Sequence, residues 1–81
     1  MQRDYELIGR FIYGATRHGA EPDYIGNWIA DDLGVSRPVS ADHAVLADLF
    51  DAFCARYPGA HEREQQVSRF IDSLAGRGAA P

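Results

Sequence analysis

The stretch Ser40-Ala-Asp-His-Ala-Val-Leu-Ala-Asp-Leu-Phe-Asp-Ala-Phe-Cys-Ala-Arg-Tyr-Pro-Gly59 decides the fold. It reads as a helix over about 41–57, capped by Ser40 and stopped by Pro58-Gly59. Val45, Leu46, Leu49, Phe50, Phe53 and Cys54 cover more than half its circumference, and alanines fill the gaps. A helix so apolar needs neighbours on several sides, which predicts the central post of a small helical domain.

Three further helices are expected around it. Residues 3–18 carry Ile8, Phe11, Ile12 and Ala15 at helical spacing, with Leu7 widening the stripe and Tyr5 at its edge. Arg17-His18-Gly19 suits a helix C-terminus and a left-handed cap. Pro22 and Asp23 open a second helix with the stripe Ile25, Trp28, Ile29 and Leu33, and Gly34 ends it. The last helix runs from about His61 to Ala75, with Val67, Phe70, Ile71 and Leu74 on its apolar face and Gly76 as its stop. No strand-like alternation occurs. The fold class is therefore all-α, a compact four-helix domain over 1–75 with a flexible tail at 76–81.

Size and composition narrow the function. The chain has 81 residues, one domain's worth and near the lower limit for a self-sufficient core. No run of about 18 apolar residues could span a membrane, and Glu6 and Arg10 interrupt the apolar core a signal peptide requires. Cys54, the single cysteine, excludes an internal disulfide and fits a reducing, cytoplasmic setting. Three scattered histidines and that thiol supply no zinc-ligand spacing, so no metal or cofactor is expected.

Charge is the most informative property. The net −4 is concentrated in residues 21–51, where Glu21, Asp23, Asp31, Asp32, Asp42, Asp48 and Asp51 face only Arg37. The flanking segments are each slightly basic, and Arg3, Arg10 and Arg17 recur every seven residues along one helix face. That ridge reads as a solvated side, with Glu6 pairing to Arg10 four residues on.

Ala30, Gly34 and Val35-Ser36-Arg37-Pro38 resemble the turn of helix-turn-helix DNA-binding proteins. Val39 departs from that pattern, arriving one position early, which rotates the following helix by about 100°. Membership would imply a transcription regulator whose second helix enters the major groove. That helix carries Asp42, Asp48 and Asp51, whereas groove-reading helices bring Arg, Lys, Asn or Gln to bases and phosphates. Asp72-Ser73-Leu74 likewise resembles the attachment triad of acyl carrier proteins. In that family the serine begins a helix and half the domain follows it; Ser73 lies inside the last helix, so no prosthetic group is assigned.

No catalytic set emerges. His43 and Cys54 share a helix face but stand roughly 16 Å apart by the helical rise, beyond any nucleophile–base hydrogen bond. The expected function is a non-enzymatic protein-binding module, an inhibitor, adaptor or regulatory subunit. It would present Asp31, Asp32, Asp42, Asp48 and Asp51 to a basic surface of a larger partner, such as a nucleic-acid-binding protein. Tyr24, Trp28 and Tyr57 are the candidate anchors. A homodimer through an uncovered apolar stripe is also allowed; nucleic acid is the disfavoured partner, and the helix-turn-helix regulator is the alternative.

Overall fold

The computed structural model describes residues 4–78, and side chains through Gly76. Four helices follow one another: α1 (Tyr5–Arg17), α2 (Pro22–Leu33), α3 (His43–Arg56) and α4 (Ala60–Gly78). Among the described residues there is no strand. The all-α, four-helix reading stands.

Each helix end has a local cause. Asp4 accepts from the Leu7 amide at 3.0 Å and caps α1. Two Schellman motifs close α1 and α2: Ala20 N–H reaches Ala15 O (2.8 Å) and Val35 N–H reaches Ala30 O (3.0 Å). Both turns need a left-handed residue, supplied by Gly19 (φ 71°) and Gly34 (φ 73°). The start of α3 differs from expectation. Its cap is Asp42, which accepts from the Val45 amide at 2.9 Å, so Ser40 lies outside the helix in the connection. Gly76 does not stop α4, which continues to Gly78; with ordinary helical φ, glycine costs propensity without breaking a helix. The remainder of the expected tail, 79–81, and Arg3 of the arginine ridge lie outside the described residues.

The core is aromatic and centres on Phe11 of α1. Its ring lies 6.0 Å from Trp28 in α2, 5.6 and 5.4 Å from Phe50 and Phe53 in α3, and 4.7 Å from Phe70 in α4. One side chain thus touches all three other helices. Leu7, Ala15, Ile25, Ile29, Val67 and Leu74 are buried around it. α3 buries Phe50, Phe53 and Cys54, while Val45, Leu46 and Leu49 are half-buried. The helices associate chiefly as α2 with α3 and α1 with α4, with α1 also against α2. Gly14 permits the close approach of α1 to α4, since a Cβ there would stand 2.3 Å from Ile71 Cδ1.

Arg63 ties three segments together. Its Nε lies 3.2 Å from Asp4 Oδ2 as an ion pair, although the N–H is misaligned for a hydrogen bond. Its Nη1 donates to the carbonyls of Tyr57 and Pro58 at 2.8 and 2.9 Å. The cap of α1, the α3–α4 turn and the start of α4 are therefore held by one guanidinium.

Candidate docking surface

α1 and α3 do not pack closely, and an apolar groove runs between them. One part, of about 260 Å³, is lined by Tyr5, Ile8 and Ile12 on α1 and by His43, Leu46, Ala47 and Phe50 on α3. A second, of about 270 Å³, shares Ile12, His43 and Leu46 and continues past Ala15 and Thr16 to Pro22 and Ala41. The groove arises from the width of the α1 stripe. Leu7, Phe11, Gly14 and Ala15 are the residues that enter the core, so the buried face is rotated from the expected Ile8–Phe11–Ile12–Ala15 set. Ile8 is left half-buried and Ile12 is 47% exposed. Tyr5 (73%) and Tyr13 (65%) are also exposed on α1.

The predicted acidic residues are not one free field. Asp31 accepts two hydrogen bonds from Arg37, 2.9 Å from Nε and 2.6 Å from Nη2, and this pairing holds its carboxyl below the usual aspartate range. Asp32 accepts the Tyr57 hydroxyl proton at 2.7 Å. The Asp42 carboxylate is exposed but bound to the α3 amide it caps. Asp51 is half-buried and engaged. Asp48 is exposed, with no hydrogen bond or ion pair among the described residues. No described acidic residue lines the groove: Asp48 is turned about 150° from the mean direction of His43, Leu46, Ala47 and Phe50 and faces away from it. Arg10 and Arg17 lie on the far side of α1 from Ile8, as 100° per residue requires. Arg10 is shared there between Glu6 and Glu64.

None of the three expected aromatic anchors is fully exposed. Trp28 is half-buried against Phe11 and Phe70. Tyr24 meets Phe70, and its hydroxyl pairs with Ser73 Oγ at 2.9 Å. Tyr57 packs against Phe53 with ring centroids 5.0 Å apart and planes tilted by 56°. Tyr5 and Tyr13 are the exposed rings, and their signal in the sequence was position on the outer flank of an over-wide stripe.

The other chemistries gain no geometry. Burial pushes the Cys54 thiol up, away from nucleophilic reactivity. Among the described residues no group of three or more His, Cys, Asp or Glu is placed to hold a metal ion. No described helix is long and apolar enough to cross a membrane. The connection resembling a helix-turn-helix turn runs from Gly34 to Asp42, well beyond the three or four residues of that motif, and Arg37 within it is already paired with Asp31. No protein-family model, curated protein or solved structure matches the chain.

Proposed function

We propose that the chain is a non-enzymatic protein-binding module whose open apolar groove and net acidic surface engage a basic region of a larger partner. The observation that carries this reading is the open groove between α1 and α3. A domain that seals Phe11, Phe53, Phe70, Ile29 and Leu74 from solvent leaves Ile12 and Tyr5 uncovered beside it. Grouped apolar side chains of this kind mark interaction sites. The net charge of −4 favours a basic partner and speeds its encounter, while the apolar floor supplies affinity.

A photo-activated cross-linking residue at position 12 tests this, with position 68 on the exposed side of α4 as control. Adducts from 12 and not from 68, mapped by mass spectrometry to one basic protein, are expected. Equal adducts from both positions, or a low-salt shift of duplex DNA by the unmodified chain, would overturn the reading.

A further inference from the structure

The geometry points to a second site, on the other flank of α1 from the groove, for a small amphipathic carboxylate. This goes beyond the binding-module reading and does not depend on it. Between α1 and α4 lies an open cleft of about 440 Å³, within the size range of small-molecule sites. Its floor is apolar, made by Gly14 of α1 with buried Val67 and half-buried Ile71 of α4. Val67 and Ile71 stand one turn apart, about 6 Å along the helix, which matches a short aliphatic or aromatic body. Gly14 keeps this floor low, because a Cβ there would stand 2.3 Å from Ile71 Cδ1 and push that methyl outward into the cleft.

The rim is cationic, and no described acidic residue lines the cleft. Arg10 borders one end, where it already pairs with Glu6 and Glu64. Arg17 is the available charge. Its Nη1 donates to the Tyr13 hydroxyl at 3.4 Å, and among the described residues no carboxylate pairs with it. That contact leaves most of the guanidinium's N–H donors uncommitted, in the planar fork that suits a carboxylate. His18 also lines the cleft and adds a ring N–H. The last carbonyls of α1 do not confront an anion there: Gly14, Ala15 and Thr16 already accept from the amides of His18, Ala20 and Gly19. One unpaired cation fixes the head at a single negative charge, and the floor supplies contact for the body. A neutral ligand of the same shape forgoes the guanidinium, and a head without a body forgoes the floor.

The test is an amide-detected NMR titration of the folded chain with octanoate, with octanol lacking the charged head and acetate lacking the body. Octanoate should bind with Kd on the order of 1 mM and shift the amides of Gly14, Arg17, His18, Val67 and Ile71. Octanol should bind about fivefold more weakly, and acetate should give no saturable shift. Arg17 is exposed, so Arg17→Gln keeps the fold, as circular dichroism would verify. That variant should bring octanoate down to the affinity of octanol and leave octanol unchanged. Gly14→Ala should weaken octanoate and octanol alike, by displacing Ile71 into the cleft. Equal affinities for octanoate and octanol in the unmodified chain, an octanoate affinity indifferent to Arg17→Gln, or shifts centred on Ile12 and Leu46 of the groove would each overturn the proposal.

Discussion

The hydroxyl of Tyr57 donates to Oδ2 of Asp32 across 2.7 Å, joining the residue that caps the end of α3 to the last turn of α2. Arg56 donates to the same hydroxyl at 3.4 Å and stacks over the ring. Asp32 is thus held at the C-terminal end of α2, where the helix dipole disfavours a carboxylate, by a donor from another helix. Tyr57→Phe keeps the contact with Phe53 and removes only the hydrogen bond. It should lower unfolding free energy by about 1 kcal/mol, read from a shifted urea midpoint at unchanged slope. An unchanged midpoint would mean that water satisfies Asp32 equally well.

The start of α3 gives a sharper contrast. Asp42→Ala removes the carboxylate bound to the Val45 amide and should cost about 1 kcal/mol. Ser40→Ala should stay within about 0.5 kcal/mol, as exposed substitutions away from caps and core usually do. Equal losses, measured by denaturant titration, would place the cap elsewhere.

Those two positions show what was readable in the chain. Gly19 announced a left-handed cap and Gly34 the end of α2; both adopt the left-handed backbone that few other residues reach cheaply. Ser40 and Asp42 are both good caps, so local chemistry alone could not choose between them; how far the connection must travel before α3 meets α2 decides. The groove was half legible. Ile8, Phe11, Ile12 and Ala15 form a valid stripe by spacing, but the close approach at Gly14 turns Gly14 and Leu7 inward and leaves Ile12 at the surface. The acidic run was visible in composition, whereas its neutralisation was not. Nothing in the spacing of Asp31 and Arg37, six residues apart across a turn, reveals that Gly34 folds them into a two-point pair.

That pair has a defined pH signature. Hydrogen bonding to Arg37 lowers the folded-state pKa of Asp31. Its contribution to stability is therefore present above the unfolded-state pKa and lost as pH falls through the folded one. In a carboxyl NMR titration, Arg37→Ala should raise the Asp31 midpoint toward the ordinary aspartate range. Both side chains are exposed, so added salt should move the wild-type midpoint in the same direction. A midpoint indifferent to Arg37 would show that the contact is not maintained in solution.

Phe11 is the most sensitive core position because its ring meets Trp28, Phe50, Phe53 and Phe70 together. Phe11→Ala should cost about 3–5 kcal/mol. A chain of this size has total stability of about 4–12 kcal/mol, so the variant should be partly or wholly unfolded at 37 °C in a thermal melt. Phe11→Leu, which keeps most of the volume, should remain folded with a lowered Tm.

Gly14 sets two opposing effects against each other. Alanine there gains about 1 kcal/mol of helix propensity, but its Cβ would stand 2.3 Å from Ile71 Cδ1, and that methyl must move. Ile71 is half-buried and lines an open cleft between α1 and α4, so it can turn outward at a cost of about 0.5–1.5 kcal/mol. Gly14→Ala should consequently be close to neutral. Gly9→Ala, which meets nothing within 4 Å, should stabilise by about 0.5–1 kcal/mol. The decisive measurement is a double-mutant cycle. Ile71→Val deletes the obstructing Cδ1, and in that background Gly14→Ala should recover most of its propensity gain, a coupling of about 0.5–1.5 kcal/mol. Additive effects would mean that α1 and α4 do not approach each other through Gly14.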